Sequence, residues 1–245
     1  MDLLFISLLG LVMGIVTSIS GGAGVFAVPT MLAFGIPPIN VLALNRTSDV
    51  GVVLGALKNY HRSKNIQWRL GLIAALPMGV GSFLGSNFVV NISERFLNYI
   101  ILLGVVVGIF FLLKPIKPSE NSEKKSFSVL GLFFLLLVGF WSGALGMAGA
   151  TFAVLVLVYF FKLSFLEARS THIAAAIPET LISTAVLYLG STVSIILMLV
   201  MFISSFVGAW IGSHLAVKHG SSFIKRAMVG IAIIMMIKVV VNLLA

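Results

Sequence analysis

Apolar segments, most of them near 20 residues long, follow one another along the chain with short polar stretches between them. Runs of about 20 apolar residues are typical of membrane-spanning helices, whereas a membrane β-barrel would show alternating segments of about 10 residues. The pattern therefore predicts an all-α integral membrane protein. Its ten segments lie at 3–19, 20–35, 41–59, 70–90, 96–114, 127–145, 146–162, 164–189, 192–216 and 224–244.

Almost no polar sequence separates the first segment from the second, or the sixth from the seventh. Each of these pairs predicts a tight or re-entrant hairpin that enters the membrane without crossing it twice. We therefore expect between eight and ten complete spans.

The only long polar stretch, 115–126, reads PIKPSENSEKKS and predicts a flexible linker between a first membrane repeat, 1–114, and a second, 127–245. Most lysines and arginines lie in this linker and in the short loops after the third, seventh and ninth segments. Because basic loops stay in the cytoplasm, we expect a multi-pass cell-membrane protein with a cytoplasmic linker and both termini outside.

The composition agrees with a membrane protein, since 60% of residues are hydrophobic and 9% are charged, against about 25% charged in soluble domains. The net charge of +9 does not indicate nucleic-acid binding, because the basic residues lie where they set membrane orientation. The chain has no cysteine and no GxxxxGK[ST] motif, so we expect no cofactor, no thiolate metal site and no ATPase activity.

The two halves resemble each other. At an offset of 125 residues Gly21 matches Gly146, and at an offset of 127 Gly81 matches Gly208. Each half holds five segments, an odd number, so the second must enter the membrane upside down. Two inverted-topology five-segment repeats are a hallmark of secondary transporters, whose substrate sites lie near mid-membrane beside broken helices.

Two glycine turns supply such breaks. They contain Gly21, Gly22 and Gly24 in the first half and Gly146 and Gly149 in the second. Backbone N–H groups at the helix starts that follow would favour an anion. Close helix packing is the alternative explanation for these glycines.

Polar residues within the third and eighth segments form the other half of the predicted site. The guanidinium of Arg46 suits an oxyanion such as sulfite, sulfate or a sulfonate. Arg46 could instead pair with Asp49 or Asp2, or extend to the headgroups. For Arg169 we favour an anchor at the inner surface over a role in the site. The candidate substrate-binding side chains are Asn45, Arg46, Thr47, Ser48, Ser170, Thr171 and His172.

Three titratable side chains within the apolar segments are candidates for proton coupling, namely Asp49, His172 and Glu179. Histidine, with an unperturbed pKa of about 6.5, can change charge during transport. A hydrogen bond between helices is the alternative role for His172.

The segment SGGAGVFAVPTMLAFGIPP followed by NVLALNRTSD resembles the sulfite exporter family (TauE/SafE), and GALGMAGATF with EARSTH forms a weaker second copy. The resemblance implies movement of sulfite, sulfonates or related anions across a bacterial inner membrane. We therefore expect a secondary transporter, an exporter working by alternating access, and not an enzyme. Its partners would be a small anion and the lipid bilayer, with a homodimer left open. An anion channel, or an intramembrane enzyme using Ser142 with His172, is the alternative.

Overall fold

The computed structural model describes residues 3–113 and 127–244, with side chains at 3–104, 106, 127–224, 226 and 227. Every regular element in this part of the chain is an α-helix. The prediction of an all-α protein is thus confirmed. The predicted linker at 115–126 and the terminal residues lie outside the described residues.

Nine helical elements cover the two described ranges, and their limits follow the hydropathy pattern to within a few residues. Gly220, with a φ of 72°, interrupts the last helix, so α9 consists of two arms. The elements are α1 (Leu3–Ser20), α2 (Gly24–Ala33), α3 (Pro38–Arg62), α4 (Trp68–Val90), α5 (Glu94–Leu113), α6 (Val129–Leu145), α7 (Gly149–Phe161), α8 (Phe165–Leu189) and α9 (Ile195–Leu244).

Four of the helices within the described residues are long and apolar enough to cross a membrane: α1, α4, α8 and the 195–224 part of α9. By contrast, α2 has 10 residues. At 1.5 Å per residue it measures about 15 Å, half of a hydrocarbon core of about 30 Å. Helix α2 by itself is therefore too short to cross the membrane.

Helix pairs pack closely through glycines. On α1, Gly14 lies so close to α9 that an added Cβ would be 2.2 Å from the carbonyl oxygen of Ser205. On α6, a Cβ at Gly139 would be 2.4 Å from the carbonyl oxygen of Met78 on α4. These contacts join each half to the other, because α1 packs on α9 and α6 packs on α4. Helices α3 and α8 meet between these pairs.

The breaks after α1 and α6 contact each other. Gly21 and Gly146 both have left-handed backbones, with φ of 81° and 66°, which glycine adopts without strain. The hydroxyl of Thr151 on α7 donates to the carbonyl oxygen of Ser20, 3.0 Å away. A Cβ at Gly24 would lie 2.8 Å from the carbonyl oxygen of Gly146. The starts of α2 and α7 are therefore brought together beside α3.

Candidate anion-binding site

A small cavity of about 20 Å³ lies where the two helix breaks meet α3 and α8. A cavity of 10–15 Å³ or more can hold one water molecule. The cavity is therefore too small for a sulfite ion in this conformation. Its charged or titratable lining consists of Arg46, Asp49, Arg169, His172 and Glu179.

Arg46, on α3, is buried and uses its guanidinium to join both halves of the chain. Nη1 donates to Asp49 Oδ2 at 2.8 Å and to Ser142 Oγ at 3.0 Å. Nη2 donates to Glu179 Oε1 at 3.0 Å, and Nε donates to Ser183 Oγ at 2.8 Å. The sequence left open whether Arg46 pairs with Asp49, and the structure shows that it does so while also pairing with a carboxylate of α8.

Glu179 is 1% exposed, so its carboxyl group is shielded from bulk solvent. Its Oε1 accepts from Arg46, whereas its Oε2 has no hydrogen-bond partner among the described residues. Asp49 is more open, with 15% of its side chain exposed. The two carboxylates thus share one arginine, and one carboxylate oxygen of Glu179 is left unsatisfied.

Arg169 is 1% exposed, so our expectation of an anchor at the inner surface is wrong. Its Nε donates to the carbonyl oxygen of Ser18 at 3.1 Å, and its Nη2 donates to the carbonyl oxygen of Thr17. These carbonyls lie at the C-terminal end of α1, which carries partial negative charge. The broken end of α1 therefore draws Arg169 into the protein, and sequence position relative to a loop could not reveal this.

His172 is 4% exposed, and its Nδ1 lies 2.9 Å from Arg169 Nη1. Arginine has only donors, so Nδ1 must accept and the ring hydrogen lies on Nε2. The imidazole is accordingly neutral in this arrangement and offers one N–H donor. Ser142, the nucleophile of the enzyme alternative, accepts a hydrogen bond from Arg46.

Asn45 lies at the junction of the two glycine turns. A Cβ added at Gly146 would be 2.2 Å from the Nδ2 of Asn45, and a Cβ added at Gly24 would be 3.1 Å from its Oδ1. The amide is 0% exposed, and neither its nitrogen nor its oxygen has a partner among the described residues. Asn45 is thus a buried polar group held against both helix breaks.

The other predicted side chains divide between satisfied and unsatisfied hydroxyls. Thr47 donates to the carbonyl oxygen of Ala43 at 2.8 Å, and Thr171 accepts from the backbone N–H of Gln67 at 3.0 Å. Ser48 and Ser170 are fully buried, and their hydroxyls have no partner in the described part of the chain. None of these four lines the cavity.

Of the predicted glycines, Gly21 and Gly146 line the cavity, whereas Gly22, Gly24 and Gly149 lie in the same turns without lining it. An added Cβ at Gly149 would be 2.5 Å from Ser142 Oγ. Each turn therefore contributes one glycine to the lining of the cavity.

Sequence reasoning did not assign three further side chains of this cluster to the anion site, and it named one of them, Ser142, only as the nucleophile of the enzyme alternative. Thr17 and Ser142 both line the cavity and occupy equivalent positions at the 125-residue offset. That equivalence was the available signal. Ser183, which accepts from Arg46, gave none, because a serine in an apolar helix commonly bonds its own backbone, as Ser183 also does to Glu179.

Comparison with known proteins identifies the family. A family model described as sulfite exporter TauE/SafE matches residues 6–239. The chain belongs to this family. It is thereby placed among membrane transporters, as the resemblance of its glycine-rich and polar segments implied.

The curated relatives of this TauE/SafE chain carry similar descriptions. It is 28% identical over 241 residues to the probable membrane transporter protein YfcA of Escherichia coli, covering 96% of this chain and 87% of that protein. It is 25% identical over 236 residues to a probable membrane transporter protein of Haemophilus influenzae, covering 94% and 91%. It is 25% identical over 217 residues to the probable membrane transporter protein YdhB of Bacillus subtilis, covering 86% and 87%. No solved structure matches the chain significantly.

Proposed function

We propose that this protein is a secondary transporter that exports sulfite, sulfonates or related small anions across a bacterial inner membrane. One observation carries the proposal: Arg46, Asp49, Arg169 and Glu179 surround a cavity at the junction of two helix breaks. Ionisable groups inside a membrane mark substrate or ion pathways. Arginine forks are suited to the several oxygens of sulfite or a sulfonate.

The two halves act as inverted repeats in this proposal, and equivalent packing supports it. A Cβ at Gly81 would be 2.1 Å from the carbonyl oxygen of Leu136, and one at Gly208 would be 2.2 Å from that of Leu11. The glycines are 127 residues apart and the carbonyls 125 apart, which are the offsets that relate the two halves in sequence. Each half therefore makes the same contact with the other.

Hydrogen bonds near both ends of α3 support the proposed alternating access. At one end Asn40 Nδ2 donates to Thr192 Oγ1 at 3.1 Å, beside an outer cavity of about 550 Å³ that reaches Leu44. At the other end the N–H of Gln67 donates to Thr171 Oγ1. Opening these ends in turn would expose the central cavity to one side and then the other. The positive-inside rule assigns the Gln67 end to the cytoplasm.

Proton coupling follows from the charge of the cavity. Two arginines balance two ionised carboxylates, so a bound anion leaves one negative charge uncompensated, which is costly in a buried site. A proton on Glu179 or Asp49 would restore the balance. We assign this role first to Glu179, because its Oε2 is buried and without a partner among the described residues. His172 is a weaker candidate, since its Nδ1 already accepts from Arg169.

Uptake into proteoliposomes of labelled sulfite, sulfate, thiosulfate and sulfoacetate, with and without a pH gradient, tests the proposal. We expect saturable uptake of at least one of these anions and its loss in Arg46→Ala, which leaves two buried carboxylates unpaired. Lys58→Ala is the matched control, because it removes a positive charge from an exposed position of the same helix. The absence of uptake of every anion would refute the function, and full uptake by Arg46→Ala would refute the site.

A further inference from the structure

The two buried arginines of the cavity differ in what neutralises them. Arg46 forms ion pairs with Asp49 and Glu179, and these are the ion pairs found in the described part of the chain. Arg169 forms no ion pair within the described residues; it donates to the carbonyl oxygens of Thr17 and Ser18 and to the neutral ring of His172, and it lies near Tyr60 and Asp49.

A helix C-terminus supplies about half an elementary charge, so it compensates the full charge of Arg169 only in part. A buried cation without a full counter-charge is unfavourable. Arg169 is therefore the arginine whose positive charge is only partly compensated, because Arg46 already has two acidic partners. An anion can approach Arg169 without first separating the ion pairs of Arg46.

The donors beside Arg169 also suit an oxyanion. His172 keeps its ring hydrogen on Nε2, as its contact with Arg169 requires, and both residues line the cavity. A guanidinium and a neutral N–H from successive turns of α8 can bind two oxygens of the same anion. A neutral donor adds a hydrogen bond without adding a second charge.

Resting on the proposed transport function, we propose that Arg169, with the Nε2–H of His172, is the primary counter-charge of the transported oxyanion. Arg46 then serves mainly as the counter-ion of the protein's own carboxylates. The ligand is a small anion with at least two free oxygens, such as sulfite, sulfate or a sulfonate. It binds after the cavity has widened at one end.

Arg169 also holds the C-terminal end of α1, so the test must separate binding from support. Tyr60 offers the control, because its hydroxyl donates to the same carbonyl oxygen of Ser18, 2.7 Å away, without carrying charge. Tyr60→Phe removes a hydrogen bond at the same end of α1, next to Arg169, and leaves both arginines and both carboxylates of the cavity in place. Two readouts are used, the KM of proteoliposome uptake and the stabilisation by sulfite or sulfate of detergent-solubilised protein against heat.

In Arg169→Gln we expect KM to rise roughly 10- to 100-fold, the effect of losing one hydrogen-bonded charge, and the stabilisation by anion to disappear. Arg169→Lys should fall between this variant and wild type, and Tyr60→Phe should keep the wild-type KM. An unchanged KM in Arg169→Gln would show that Arg169 only supports α1. The same conclusion would follow if Arg169→Gln and Tyr60→Phe lost maximal rate equally at constant KM.

Arg169→Lys carries the test if Arg169→Gln does not fold, because lysine keeps the charge but loses the fork. A wild-type KM in Arg169→Lys together with a wild-type KM in His172→Phe would then overturn the inference. If wild-type protein neither transports nor is stabilised by any anion, the proposed function fails as a whole. If wild-type protein transports and the Arg169 variants match it, only this inference fails.

Discussion

Arg46 Nη2 and Glu179 Oε1 lie 3.0 Å apart and form a buried ion pair between α3 and α8. The two residues are 133 positions apart in the sequence and belong to different halves of the chain. Both side chains are almost fully excluded from solvent, at 3% and 2% exposure. This pair links the two helices that carry the site.

Removing either partner of the pair should destabilise the fold, and removing both should cost less than the two single losses added together. Removing one partner of a buried ion pair costs about 3–5 kcal/mol, because the remaining charge is unpaired. We expect Arg46→Gln and Glu179→Gln each to lower the thermal stability of the purified protein. The double variant should lose less than the sum of the two, with a coupling of about 0.5–3 kcal/mol. Strictly additive losses would show that the two side chains do not interact.

Replacing Glu179 should also remove proton coupling. The charged and titratable groups that share its cavity are Arg46 and Asp49 on α3, and Arg169 and His172 on α8. Glutamine at 179 is always uncharged, as glutamic acid is when protonated. Glu179→Gln should therefore transport at a rate independent of the pH gradient that drives wild type. Glu94→Gln, at an exposed position at the start of α5, is the control and should keep the wild-type response. A rate in Glu179→Gln that still depends on the pH gradient would show that the coupling proton binds Asp49 instead.

The close glycine contacts predict opposite outcomes for two substitutions on α4. An added Cβ at Gly85 would be 2.0 Å from the carbonyl oxygen of Phe140, whereas one at Gly79 would be no closer than 3.6 Å to its neighbours. Gly85→Ala should therefore destabilise the protein by about 1–3 kcal/mol through overpacking. Gly79→Ala should preserve stability, since alanine is the better helix former. Equal melting temperatures for the two variants would contradict the described packing.

The equivalent position in the second half gives a further check. A Cβ at Gly212 would be 2.4 Å from the carbonyl oxygen of Ile15, in the pairing of α9 with α1. Because Gly85 and Gly212 are equivalent at the 127-residue offset, Gly212→Ala should resemble Gly85→Ala in stability. A tolerated Gly212→Ala would weaken the proposed relation between the halves.

Ala148 has a left-handed backbone, with φ of 56°, in the turn after α6. This conformation costs a residue with a Cβ about 1–2 kcal/mol. Ala144→Gly, in the helix just before it, is the matched comparison, because both substitutions remove a buried methyl group. Ala148→Gly should leave the protein about 2–3 kcal/mol more stable than Ala144→Gly, as measured by thermal unfolding, because it relieves strain while Ala144→Gly puts a glycine inside a helix. A reversed order would mean that Ala148 is not strained.

Locking Asn40 to Thr192 should arrest transport. Their side chains are hydrogen-bonded, and the N–H of Thr192 also donates to Asn40 Oδ1 at 3.0 Å. The native chain has no cysteine, so thiols can be introduced without background. Oxidation or a short thiol cross-linker should stop uptake in the Asn40→Cys, Thr192→Cys double variant, and reduction should restore it. Each single variant should be unaffected, and full transport by cross-linked protein would show that this end does not open.

The sequence by itself determined the helices, the two glycine breaks and the placement of Asn45 and Arg46 inside an apolar segment. These features are local, since hydropathy and glycine spacing are read within a few turns of one helix. The residues that line the site together were predictable in part, because the offset between the halves related Thr17 to Ser142.

Only the tertiary structure decided which charges meet. Arg46 could have reached Asp49, Asp2 or the headgroups, and the packing of α8 on α3 added Glu179 and Ser183 as partners. Arg169 lies only five residues into α8, where an inner-surface role fits its sequence position equally well. Its burial depends on the end of α1, whose carbonyls become available because that helix stops inside the protein. A long guanidinium side chain takes whichever partners the distant helices present, and sequence distance carries no record of them.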